Sequence, residues 1–121
     1  DSIGMCTVVR GAFGFSEKPT GDVLEAVTGY GFTPQLMDIA ERIYGLERMI
    51  LNREGIRRKD DLLPDRITRE TIPSGPTKGR ILTAEMYDVM LNDYYGLRGW
   101  DADGVVTEQT KNRLGLSEIL S

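Results

Sequence analysis

The stretch Thr33–Gly55, TPQLMDIAERIYGLERMILNREG, constrains this chain more than any other. Pro34 suits the first position of a helix, where its missing N–H costs nothing, with Thr33 before it as the N-cap. Leu36, Ile39, Ala40, Ile43, Leu46, Ile50 and Leu51 recur at three- and four-residue steps and draw one apolar stripe along a helix. Asp38, Glu41, Arg42, Glu47, Arg48 and Arg53 fall mostly off it. Gly55 ends the run as a residue that tolerates positive φ. At about 1.5 Å per residue the rod is roughly 30 Å long, enough to cross a small domain. The pattern predicts a central helix over about 34–54, with its stripe buried and the rest of the chain packed around it.

At 121 residues the chain has room for a single domain, 1–121, with its own core. A net charge of −4 leaves no basic footprint for nucleic acid. No apolar run approaches the roughly 18 residues of a membrane span, and no signal peptide opens the chain; a cytoplasmic protein is expected. One cysteine precludes an internal disulfide, and the lack of histidine removes the commonest general base and metal ligand. The chain starts with Asp1 rather than methionine, as a piece of something longer would.

The rest of the pattern is helical too. Asp1–Phe15 carries Ile3, Met5, Cys6, Val8, Val9, Ala12 and Phe13, and a short helix is favoured there over a strand through Thr7, Val8 and Val9. Thr20 is the expected cap of a helix over Gly21–Thr28, stopped by Gly29 and Gly31. Residues 56–82 show no sustained period, and Arg57, Arg58, Lys59, Asp60 and Asp61 with Pro64, Pro73 and Pro76 predict an irregular surface excursion. Arg57 and Arg58 within it, and Arg53 just before it, find partners among Glu54, Asp60, Asp61 and Asp65 in the expected arrangement. Thr83 begins the next helix, with Met86, Val89, Met90, Tyr94 and Leu97 as its inner face and Gly96 and Gly99 at its end. Trp100 packs the corner, Thr107 caps a last helix through Arg113, and Gly115 closes it. The fold class is all-α: an irregular bundle of about five helices.

Two constellations bear on chemistry. Asp101-Ala102-Asp103-Gly104 is like the middle of a calcium loop, but matching Gly104 to the turn glycine leaves Gly99 and Thr110 at the terminal ligand positions. A turn between helices explains those residues without an ion. The other is Asp1-Ser2-Ile3-Gly4-Met5-Cys6. A lone cysteine near valines is most often a small buried hydrophobe. D-x-x-G-(Leu/Met)-C followed by a helix, however, resembles the second pterin-binding motif of the tungsten-containing aldehyde:ferredoxin oxidoreductases. The resemblance continues through Asn52-Arg53-Glu54-Gly55, Arg58 with Asp60-Asp61, Leu63-Pro64, Tyr94-Tyr95-Gly96-Leu97-Arg98-Gly99-Trp100-Asp101 and Leu114-Gly115-Leu116. It spans essentially the whole chain and is similar to the helical C-terminal domain of that family.

The resemblance implies a role for four residues. Asp1 would accept paired N–H donors of the pterin ring, and Gly4 would let the backbone approach that flat ring. Met5, where the family usually has leucine, would contribute its main-chain carbonyl. Cys6 would be the fourth thiolate of a [4Fe–4S] cluster, the other three lying upstream. The implied reaction oxidises an aldehyde to a carboxylic acid at a tungsten (or molybdenum) bis-pterin centre, with electrons leaving through the cluster to ferredoxin. No catalytic acid or base is assigned within this segment. The implied partners are the upstream domains of the same polypeptide, ferredoxin and a small aldehyde, with neither nucleic acid nor membrane. A free-standing helical interaction domain without cofactor is the alternative, and the length and cysteine content of the encoding reading frame separate the two. Because a [4Fe–4S] cluster takes four thiolates and this chain has one, the isolated 121-residue chain is expected to be colourless and inactive towards aldehydes. A visible absorption spectrum and an aldehyde-oxidation assay of that chain check this.

Overall fold

The computed structural model describes Cys6, Val8, Gly11, Gly14 and residues 17–119. Five α-helices are present among the described residues: α1 (Glu17–Thr28), α2 (Leu36–Arg53), α3 (Asp65–Arg69), α4 (Ala84–Arg98) and α5 (Glu108–Leu114). Two 3-10 turns, Thr33–Gln35 and Arg58–Asp60, join them. No strand occurs among the described residues; one isolated antiparallel bridge pairs Trp100 with Val106. The all-α expectation holds. Most of the helix expected over Asp1–Phe15 lies outside the described residues.

The chain divides into two compact units, residues 1–46 and 47–121. In the first, α1 begins at Glu17 rather than after Thr20, with Pro19 inside the first turn, where a missing N–H breaks no helical bond. Gly21 is buried with Thr33 against it, so a β-carbon there would meet the threonine side chain. Thr33 is therefore not the cap of the long helix. It opens a 3-10 turn after Phe32, and α2 starts at Leu36.

The second unit is anchored by helix ends that the sequence marks clearly. Thr83 accepts a hydrogen bond from the Met86 N–H, and Thr107 accepts one from the Thr110 N–H. Glu85 sits in the first turn of α4, where the Thr83 hydroxyl and the helix backbone hold its carboxyl below the usual range. At the far end α4 runs through Gly96 and stops at Gly99 in the left-handed region (φ 68°), with the Trp100 N–H bonded to the Tyr95 carbonyl at 2.9 Å. That reversal carries Trp100 back beneath the helix. Gly115 closes α5 in the same way (φ 64°).

The core of this unit is small and aromatic: Met49, Leu91, Tyr95, Trp100, Val106, Leu114 and Leu116. Trp100 meets Tyr94 edge-on at 5.6 Å and Tyr95 tilted at 5.6 Å. Two expectations are overturned here. The apolar stripe of α2 is not a buried seam: Leu36, Ile43 and Leu46 are half-buried, and Ile39, Ile50 and Leu51 are exposed. In its last turns the helix buries Arg48 and Met49 instead, on the opposite side. Likewise Met86, Val89, Met90 and Leu97 of α4 face solvent, while Leu91 and Tyr95 face the core. Packing partners decide which face turns inward, and here the partners are an ion pair and three aromatic rings. The 56–82 excursion also holds more order than expected, namely the 3-10 turn Arg58–Asp60 and the short helix α3.

Stability should follow the observed core. Leu116, fully buried, should lose about 2–5 kcal/mol on truncation to alanine, whereas Ile50→Ala should cost about 1 kcal/mol or less. Urea denaturation followed by helical circular dichroism distinguishes them, and equal costs would reinstate the α2 stripe as core.

Candidate functional site

The side chains most tightly organised in this structure surround Arg48. The guanidinium donates through Nη1 and Nη2 to the two carboxylate oxygens of Asp61, at 2.9 and 2.6 Å, and through Nε to the Gly104 carbonyl at 2.7 Å. Such a two-pronged pairing fixes the plane of both groups. The Tyr95 hydroxyl donates to the same carboxylate, and the Tyr87 hydroxyl donates to the Asp61 carbonyl at 2.7 Å. Arg48 also lies over the Trp100 ring, 4.7 Å from its centroid. Three separate segments are thus tied to one cation on α2.

Local structure explains the assembly. Asp101 Oδ1 accepts from the N–H groups of Asp103 and Val105, both at 2.9 Å, winding a tight turn. Gly104 leaves that turn with φ 73°, and a β-carbon there would press on both the Arg48 guanidinium and the Tyr95 ring. Asn52, one turn beyond Arg48, donates to the Gly104 and Ile56 carbonyls at 3.1 Å each and accepts from the Val106 N–H. The Asp101–Gly104 segment is therefore a turn that shapes a cation pocket within the protein. Among the described residues no group of three or more His, Cys, Asp or Glu side chains is placed to hold a metal ion.

The expected partners of the excursion arginines need correction. Arg53 pairs with its neighbour Glu54 at 3.4 Å, as anticipated. Arg57 reaches Asp103 at 3.8 Å and Arg58 reaches Asp88 at 2.5 Å, across the fold rather than along the chain. Asp61 goes to Arg48, which lies off the apolar stripe of its helix. A signal for it existed: Gly45, Arg48, Met49 and Asn52 follow the same three- and four-residue spacing as the apolar stripe, on the other side of the helix.

The electrostatics commit each group. For Asp61, burial pushes the carboxyl up, but the bonds from Arg48 and Tyr95 more than offset this and leave it below the usual range. For Arg48, burial opposes the charge and Asp61 outweighs it, so the guanidinium is held above its ordinary value. Burial first, and then Asp61, push the Tyr95 phenol up to about 12. The shifts of Arg48, Asp61 and Tyr95 all move them away from exchanging a proton near neutrality. It is a structural clamp.

Of the four residues assigned from the motif, Asp1, Gly4 and Met5 lie outside the described residues. Cys6 is exposed. It belongs to the first compact unit and the Arg48 cluster to the second. No described helix is long and apolar enough to cross a membrane.

The clamp should set the acid and alkaline limits of stability. Because Asp61's folded pKa is depressed, its contribution is present above the ordinary carboxylate value of 3.8 and is lost as pH falls towards the lower folded value. Because that of Tyr95 is raised, its contribution is present below 10.0 and is lost as pH climbs towards about 12. Melting temperatures across pH should show both losses, and Asp61→Asn should flatten the acid one. Arg48→Met, which strands the Asp61 carboxylate, should cost about 3 kcal/mol or more at pH 7.

Comparison with known proteins adds to this geometry. A family profile described as aldehyde ferredoxin oxidoreductase, domains 2 and 3, matches residues 1–116. The tungsten-containing aldehyde ferredoxin oxidoreductase of Pyrococcus abyssi is 36% identical over 122 residues, covering 99% of this chain and 19% of the relative. That of Pyrococcus furiosus is 36% identical over 121 residues, with 98% and 19% covered. The aliphatic sulfonate oxidoreductase WOR-like subunit of Pyrococcus furiosus is 35% identical over 100 residues, covering 77% of the chain and 16% of that relative. The chain spans about a fifth of the length of the curated relatives it matches.

Proposed function

This chain belongs to the aldehyde ferredoxin oxidoreductase family, and on that premise we propose that it is the C-terminal part of an enzyme oxidising aldehydes to carboxylic acids. The observation that carries the reading is the match along residues 1–116 to a tungsten-containing family, beginning on Asp1-Ser2-Ile3-Gly4-Met5-Cys6. The substrate assignment is supported by the aldehyde-oxidising relatives, which match 98–99% of the chain against 77% for the sulfonate relative. When bound, a tungsten (or molybdenum) bis-pterin centre and a [4Fe–4S] cluster supply the oxidation and the transfer of electrons to ferredoxin.

The chain's own contribution is positional. Cys6 is the thiolate ligand of the cluster, and its exposure suits a ligand that must reach a group completed by cysteines from elsewhere in the polypeptide. With one cysteine in 121 residues, the chain fits such a cluster only as a part of it. Asp1 accepts N–H donors of the pterin, Gly4 gives the ring a flat approach, and Met5 offers its carbonyl. By the family resemblance, the acid or base near the metal belongs to the part of the polypeptide outside this segment, and no residue here is assigned that role.

In the full-length enzyme, Cys6→Ala should bleach the iron–sulfur absorption and slow ferredoxin reduction by at least an order of magnitude, with tungsten retained. Asp1→Ala should chiefly lower the tungsten and pterin content. Metal analysis, visible spectra and ferredoxin-linked aldehyde oxidation measure these, and an intact cluster in Cys6→Ala removes the assignment.

A further inference from the structure

Helix α4 has two apolar faces, and its own unit uses one. Leu91 and Tyr95 point into the core. On the opposite side Met86, Val89, Met90 and Leu97 are 56%, 60%, 57% and 84% exposed. These residues recur at the spacing of one helix face and form one stripe, interrupted only by Asp93 between Met90 and Leu97. Isolated apolar residues on a surface need no cause, but a stripe four side chains long does.

Two further features lie on this face. Gly96 sits beside the stripe in the last turn of α4, two residues before its end at Arg98. Its φ is not positive, and a β-carbon built on it would meet nothing within 4 Å, so neither the turn nor the packing of this unit requires glycine there. An omitted side chain next to an apolar stripe instead permits another backbone to approach closely. Asp93, among the apolar residues, carries an exposed carboxylate with no ion-pair partner among the described residues. A covering surface would place a cation or an N–H donor opposite it.

We propose that the Met86–Val89–Met90–Leu97 face is an intramolecular interface, covered in the complete protein by an upstream domain of the same polypeptide. This rests on the reading of the chain as the C-terminal part of a longer enzyme. The choice of occupant follows from length: the curated relatives are about five times as long as this chain, so most of the polypeptide is available to cover the face. A tethered partner also needs no mutual search, which favours an apolar, weakly charged contact of this kind. A second copy is disfavoured by Asp93, since a two-fold axis through this face would bring one Asp93 towards another.

The test uses the full-length protein. A microsecond pulse of hydroxyl radicals labels exposed methionines before the structure can respond. Met86 and Met90 should be labelled at least tenfold less in the native protein than in the urea-denatured one, independently of protein concentration. Labelling within about twofold of the denatured level, or protection lost on dilution, overturns the proposal. Leu97→p-benzoylphenylalanine then identifies the occupant by photo-cross-linking. Cross-links to peptides preceding Asp1 in the same chain support the interface. Cross-links to a second copy or to residues 1–46, or none at all, overturn it. Tungsten, iron and aldehyde oxidation measured on the same preparation keep the two readings separate: a protein lacking the cofactors but with protected methionines sinks the functional reading alone, whereas a loaded, active enzyme with labelled methionines sinks only the interface.

Discussion

A buried guanidinium is costly unless every donor is satisfied, and the second unit of this protein is arranged around meeting that condition for Arg48. Removing two charges from water costs several kcal/mol per ion, so the pair is tolerable only with close geometry and additional bonds. Asp61 supplies the two-pronged contact, the Gly104 carbonyl takes Nε, and Tyr95 takes up remaining capacity of the carboxylate. Among the described residues no buried side-chain nitrogen or oxygen is left without a partner.

Much of the fold follows from that requirement. Bringing Asp61 to α2 pulls the start of the excursion inward, and Arg58 reinforces this through Asp88 and through its place over the Tyr95 ring at 5.4 Å. Bringing the Gly104 carbonyl to the same cation requires the Asp101–Val106 turn, which in turn places Trp100 and Val106 in the core. The hydroxyls of Thr107 and Thr110, bonding the Gly99 carbonyl at 2.8 and 2.7 Å, tie the start of α5 to the end of α4. The unit holds its shape through directional polar contacts around a few rings, which is why it can leave apolar helix faces turned outward.

This gives the chain a division of labour. The motif residues Asp1, Gly4, Met5 and Cys6, proposed to face the cofactors, stand at one end of the sequence, while the charged clamp lies wholly in the second unit. The clamp has no spare protonation state to lend to chemistry. Its groups are committed to holding the second unit together.

The sequence by itself determined what depends on near neighbours along the chain. Thr83 and Thr107 as caps, Gly55, Gly99 and Gly115 as stops, the all-α class and the motif ending in Cys6 are all set by local spacing or backbone freedom. Tertiary structure alone decided which helix face is inside. Periodicity shows that a helix has an apolar side, but not what will cover it, and Ile50, Leu51, Met86 and Met90 were expected to be buried for that reason. Arg48 and Asp61 lie 13 residues apart, and Arg48 and Gly104 lie 56 apart. A charged residue reads as surface until the carboxylate and carbonyl that compensate for its burial are brought to it from elsewhere in the chain, and only the folded chain brings them.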